Sequence, residues 1–136
     1  MIHVMIADDF MVMRFVMQRL LEQSPDIRVA AETDTFDSTI QACQKHPYDV
    51  IILDDYLAPY PCDAVIAKLR QTEVTAPILV TSMHADVDLA GRALDSGAGG
   101  FVLKSELPQH FITAVRALHA GDTFLSPRLA LQMARA

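Results

Sequence analysis

Apolar positions in this chain follow two rhythms. Five short apolar runs, at residues 2–7, 29–32, 50–53, 78–81 and 100–103, alternate with longer stretches whose apolar residues recur at helical spacing. The run Val50-Ile51-Ile52-Leu53 is apolar without a break. That fits a parallel strand covered on both faces better than a half-exposed antiparallel one. Helices are predicted over 10–23 (apolar stripe Val12, Phe15, Val16, Leu20), 37–46 (Ile40, Cys43), 63–71 (Val65, Ile66, Leu69), 86–96 (Val87, Ala90, Ala93, Leu94) and 108–120 (Phe111, Ile112, Val115, Leu118). Pro47 closes the second, Gly97 and Gly121 stop the last two, and Pro108 suits a first helical turn. This βαβαβ alternation predicts an α/β fold, a doubly wound, five-stranded parallel sheet with helices on both faces. One domain is expected over 1–121. A C-terminal helical extension, or the start of a linker, follows over 122–136, where Ser126-Pro127 reads as the cap and first turn of a further helix.

In such sheets ligands bind beyond the carboxyl ends of the strands. Four of the predicted strands end in groups that carry chemistry: Asp8-Asp9, Asp54-Asp55, Thr81-Ser82 and Lys104-Ser105. A lone acidic residue after a strand is ordinarily a turn former or a helix cap, and Asp9 could simply cap the helix that begins near Phe10. Two acidic pairs, a hydroxyl and an ammonium on one rim are a different matter. Two carboxylates about 4 Å apart repel by roughly 4 kcal/mol at an effective dielectric near 20. Such a rim needs Lys104 and a hard divalent cation with oxygen ligands. A strand-end carboxylate can itself serve as a nucleophile and form an acyl phosphate.

Composition narrows the possibilities. The 136 residues are 51% hydrophobic and 21% charged, enough apolar material for one buried core. Acidic residues outnumber basic ones by 17 to 11, for a formal charge of −6, which disfavours sequence-independent coating of DNA. No apolar run approaches the roughly 20 residues of a membrane span. No basic segment precedes the first apolar run, so a cytoplasmic location is expected, without membrane contact. Cys43 and Cys62 form no metal-ligand or disulfide pattern.

Four segments together, Val4-Met5-Ile6-Ala7-Asp8-Asp9, Asp49-Val50-Ile51-Ile52-Leu53-Asp54, Pro77-Ile78-Leu79-Val80-Thr81-Ser82 and Gly97-Ala98-Gly99-Gly100-Phe101-Val102-Leu103-Lys104, resemble the receiver domain of two-component response regulators. The closing stretch Ala120-Gly121-Asp122-Thr123-Phe124-Leu125-Ser126-Pro127 is similar to the NarL/LuxR-type branch, whose receivers lead into a helix-turn-helix domain. The resemblance implies a flavodoxin-like strand order 2-1-3-4-5. It implies that Asp54 accepts a phosphoryl group from a sensor histidine kinase, with Asp55 the alternative acceptor. Mg2+ (or Mn2+) would be held by Asp9 directly, Asp8 largely through water, Asp54 and the backbone carbonyl of Tyr56. Ser82 and Lys104 would bind phosphoryl oxygens, and Ser82 with Phe101 would form the switch. Homodimerisation would follow phosphorylation, through helix 10–23 with 108–120 or through 86–96 with the fifth strand. DNA would be reached only through an output domain absent from this chain. The chain would be no enzyme beyond its own Mg2+-dependent phosphorylation and dephosphorylation.

The spacings from Asp9 to Asp54, Asp54 to Ser82 and Asp54 to Lys104, 45, 28 and 50 residues, favour Asp54 as acceptor. The family's proline four residues after the acceptor is met here by Pro59, which is four after Asp55 instead. The loop 55–62 is longer than usual, Ala64 stands where Gly is common, and Phe10 where His or Glu is common. Three other readings share parts of this pattern. A pseudo-receiver would be a protein-interaction module without phosphorylation. A haloacid-dehalogenase-like phosphatase would want Asp where Tyr56 stands. A flavodoxin-like mononucleotide carrier would want a phosphate loop after the first strand.

Overall fold

The computed structural model describes residues 1–135. The final residue of the expected 122–136 extension, Ala136, lies outside the described residues. The elements run β1 (Ile2–Ala7), α1 (Met11–Leu21), β2 (Ile27–Thr33), α2 (Phe36–Lys45), β3 (Val50–Asp54), β4 (Tyr56–Leu57), β5 (Tyr60–Pro61), α3 (Cys62–Gln71), β6 (Ile78–Ser82), α4 (Val87–Asp95), β7 (Gly100–Leu103), α5 (Leu107–His119), β8 (Phe124–Leu125) and α6 (Pro127–Arg135). A 3-10 turn, Lys104–Glu106, leads from β7 into α5.

The main sheet is parallel throughout, in the order β2-β1-β3-β6-β7-β8. Its first five strands are the expected doubly wound set. The sixth, β8, was not foreseen as a strand. It is two residues long and pairs Phe124 and Leu125 with Gly100 and Phe101. The pairing depends on Gly100, because a Cβ there would lie 2.6 Å from the Phe124 carbonyl oxygen.

Residues alternate between the two faces of every central strand, as a sheet covered on both sides requires. Val4, Ile6, Val50, Ile52, Leu79 and Val102 face a core closed by α1 and α5. Met5, Ala7, Ile51, Leu53, Ile78, Val80, Phe101 and Leu103 face a second core closed by α2, α3, α4 and, through Leu129, α6. Thr35 caps α2 in a reciprocal pair with Ser38, and Asp86 caps α4 by accepting the Leu89 N–H at 3.1 Å. Gly97, at φ 114°, turns the chain out of α4.

Three expectations are corrected. The buried face of α1 is Met17 and Leu21, with Met13 and Leu20 partly buried beside them. Of the predicted stripe Val12, Phe15, Val16 and Leu20, only Leu20 turns toward the core; Val12, Phe15 and Val16 point outward and are 55%, 61% and 39% exposed. Strand β2 extends beyond the predicted 29–32 at both ends. Ser126 is buried, but its side chain accepts the Leu103 N–H at 2.9 Å instead of capping α6. Its carbonyl accepts the Ala130 N–H that opens the helix. The tail is thereby joined to β7: Ser126 N–H donates to the Phe101 carbonyl at 3.0 Å, and Leu129 is fully buried.

Candidate functional site

The carboxyl ends of β1, β3, β6 and β7 meet at one rim. Side-chain alternation divides the rim in two. Asp8, Asp54 and Lys104 continue the parity of Ile6, Ile52 and Val102, toward the α1/α5 side. Asp55 and Ser82 continue the parity of Leu53 and Val80, toward α3 and α4.

On the first side Lys104 Nζ lies 2.9 Å from Asp8 Oδ2 and 2.9 Å from Asp54 Oδ1. Asp8 is fully buried, and its Oδ1 accepts the Phe10 N–H at 2.9 Å, which ties the start of α1 to the rim. Arg14 braces the same corner. It donates to the Asp8 carbonyl at 2.7 Å and pairs with Glu32 at 3.3 Å. Asp54 Oδ1 also accepts the Asp55 N–H at 2.9 Å. Oδ1 therefore has two donors, while Oδ2 accepts no hydrogen bond among the described residues. Asp9 is exposed and completes the group, one carboxylate oxygen from each of Asp8, Asp9 and Asp54 lying within 4.8 Å of the others. Hard oxygen donors at this spacing suit a divalent cation such as Mg2+.

Electrostatics matches the crowding. Burial is the largest influence on Asp54, and its carboxyl is pushed up to about 7; Lys104 pulls it down, and Asp8 and Asp55 push it up again. Burial acts to lower the Lys104 ammonium, but its hydrogen bonds to Asp8 and Asp54 outweigh that and hold it above its ordinary value. One cation thus serves two carboxylates, and Asp9 has no ion-pair partner among the described residues.

On the second side Ser82 Oγ donates to Asp55 Oδ2 at 2.6 Å and accepts the His84 N–H at 3.0 Å. Ser82 is fully buried, and so is Phe101 one strand away on the same face. The long loop is a small hairpin of β4 and β5. Tyr60 packs on Phe36 with ring centroids 4.5 Å apart, and the Ala58–Pro59 peptide is cis. Tyr56, on the hairpin, is half exposed. The structure thus brings Asp8, Asp9, Asp54 and Lys104 together and places Ser82 on Asp55. Arg14 and the bond between Asp55 and Ser82 had not been anticipated. Arg14 had a local signal, a basic residue in the first turn of the helix directly after an acidic rim. The second had only the matching parity of two strand ends.

The chain is thus a doubly wound, parallel α/β domain with an acidic, lysine-bridged rim at the carboxyl ends of its strands. The chain belongs to the response regulator receiver domain family, which matches residues 4–116. Within it the relatives lie in the NarL/LuxR-type branch. The chain is 25% identical over 134 residues to the response regulator UvrY of Escherichia coli K12, covering 98% of this chain and 62% of that protein. It is 30% identical over 130 residues to the oxygen regulatory protein NreC of Staphylococcus carnosus, covering 93% and 58%. A crystal structure of a LuxR-family two-component response regulator from Aurantimonas sp. SI85-9A1 superposes with a TM-score of 0.93 at 28% identity, covering 98% of this chain and 95% of that one. The chain spans about three-fifths of the length of the curated relatives it matches.

Proposed function

We propose that a sensor histidine kinase phosphorylates this receiver domain on Asp54 and that the phosphorylated form controls a transcriptional output. The observation that carries the reading is the Lys104 bridge, which orients Asp54 by one oxygen and leaves the other free. Asp54 Oδ2 attacks the phosphorus of a phosphohistidine. The O–P bond forms as the N–P bond breaks, and the electron pair leaves on the imidazole nitrogen, which takes up a proton from solvent. Lys104 holds Oδ1 during attack and then offers its charge to a phosphoryl oxygen. Mg2+ or Mn2+, held by Asp8, Asp9, Asp54 and the Tyr56 carbonyl, would supply positive charge opposite the phosphoryl oxygens. Hydrolysis of the acyl phosphate by water releases inorganic phosphate and restores Asp54, so the domain catalyses its own phosphorylation and dephosphorylation.

Protein partners are supported by Phe10 and the first two turns of α1, which expose Met11, Val12, Phe15 and Val16 beside the rim. Homodimerisation on phosphorylation, and contact with DNA through an output domain, follow the NarL/LuxR-type kinship. No helix among the described residues is long and apolar enough to cross a membrane; the cytoplasmic location belongs to the same kinship-based reading.

The test is incubation with a small phosphodonor such as phosphoramidate, read by intact mass. Native chain and Asp55→Asn gain one phosphoryl group in Mg2+, and Asp54→Asn gains none. Excess chelator abolishes labelling. Absence of labelling in the native chain would instead favour an interaction module that takes no phosphate.

A further inference from the structure

Asp55 follows the acceptor immediately, yet it belongs to a different set of contacts. Its backbone is pinned three ways. The N–H donates to the Thr81 carbonyl and to Asp54 Oδ1, each at 2.9 Å, and the carbonyl accepts the Cys62 N–H at 2.9 Å. The main chain is thus held just past the end of β3, and the half-buried side chain has its Oδ2 2.6 Å from the Ser82 hydroxyl. This is the short, charge-assisted kind of hydrogen bond, stronger than one between neutral partners.

The Ser82 hydroxyl has one proton. While that proton is given to Asp55, it is not available to an oxygen on the Asp54 side of the strand. The oxygen of the same hydroxyl accepts the N–H of His84, two residues before the Asp86 cap of α4. The rotamer of Ser82 is therefore mechanically joined to the segment that enters α4.

Building on the proposed phosphorylation of Asp54, we propose that Asp55 is a positioning residue that latches Ser82 in the resting domain. Movement of the Ser82 hydroxyl from Asp55 to the phosphoryl group is then the step that frees the His84 segment. Two effects hold the latch closed and set the threshold for activation. The carboxylate retains the hydroxyl, and its charge, adjoining Asp54, opposes an incoming phosphoryl group.

The full chain separates these effects, with beryllofluoride in Mg2+ as the phosphoryl analogue and the His84 amide as reporter. Without beryllofluoride, Asp55→Ala should speed hydrogen exchange at the His84 amide by about tenfold, the scale of one lost charge-assisted hydrogen bond. Asp55→Asn keeps an acceptor for Ser82 and should restore exchange to within about threefold of native. With beryllofluoride, Asp55→Ala should tighten binding by about tenfold or more, and by about threefold or less in a Ser82→Ala background. Unchanged exchange at His84 in Asp55→Ala overturns the latch. So does a gain in affinity equal in both backgrounds, because Asp55 would then act by charge alone. A native chain that takes up no beryllofluoride overturns the phosphorylation reading itself, and the exchange result then tells the two failures apart. Thermal unfolding of each variant confirms that it is folded under the assay conditions.

Discussion

Replacing Asp54 by its neutral isostere should make the domain more stable, and the gain should grow with pH. The Asp54 carboxyl stands at about 7 in the folded chain against an ordinary 3.8, chiefly because it is buried. A carboxyl raised on folding binds its proton more tightly in the native state, so stability falls as pH rises between the two values. Below about pH 4 both states are protonated and the site costs nothing. Above about pH 7 the folded chain carries the full cost of a buried carboxylate. A separation of about three pH units, at about 1.4 kcal/mol each, amounts to about 4 kcal/mol. Asp54→Asn removes that cost, in which the opposing pull of Lys104 is already contained, and Lys104 keeps Asp8. The gain at pH 8 should be about 2–4 kcal/mol, the lower end allowing for an amide that meets its neighbours less well than the carboxyl. The assay is urea unfolding by circular dichroism between pH 5 and pH 8 in chelator, native and variant side by side, so that groups common to both cancel. The difference should shrink toward pH 5, and adding Mg2+ at pH 8 should stabilise the native chain more than the variant. A difference that is flat with pH, or a variant less stable than native at pH 8, would refute the reasoning.

Other perturbations probe other links. Lys104→Met strands two carboxylates at the rim and should cost about 3 kcal/mol or more at pH 8, with a smaller loss at pH 5, read by the same urea titrations. Leu129→Ala opens a cavity where α6 meets the α2–α4 side of the sheet and should cost about 2–4 kcal/mol. An unchanged midpoint for that variant would mean that α6 is not docked in solution. Phe15→Ser removes an exposed side chain, so it should leave the unfolding midpoint nearly unchanged; if α1 receives the phosphodonor protein, phosphotransfer from the cognate kinase should slow while labelling by phosphoramidate stays at the native rate.

Much of this was legible in the chain, and what was not has physical causes. The apolar runs announced five parallel strands because a strand covered on both faces leaves no room for polar residues. The rim residues were legible because strand ends are where such sheets place ligands. Helix α1 misled because it is apolar nearly all round. With Met11, Val12, Met13, Phe15, Val16, Met17, Leu20 and Leu21 in eleven residues, periodicity cannot choose the buried face, and only packing against α5 does so. Strand β8 was hidden because two residues carry no pattern, and its pairing is decided by a missing Cβ at Gly100, more than twenty residues away. Ser126 looked like a cap by local rules, yet the long-range N–H of Leu103 holds its hydroxyl.

Strand β7 is where the rim and the tail become one structure. At its carboxyl end it delivers Lys104, the shared cation of Asp8 and Asp54. In its middle it carries Phe101, buried against the helices on the α3/α4 side. Along its outer edge the Phe101 carbonyl takes the Ser126 N–H, and the Leu103 N–H gives to Ser126 Oγ, so both residues hold the turn from which α6 starts. Helix α6 in turn packs against α4, the helix reached from Ser82 through His84 and Asp86. Two routes therefore lead from the carboxylates to the same pair of helices, one by way of Lys104 and β7, the other by way of Asp55 and Ser82. β1 and β3 are clamped by neighbours on both sides, whereas β7 is bordered on its outer edge by only two residues of strand. Of the strands that carry the rim, β7 therefore has the least strand pairing along one of its edges.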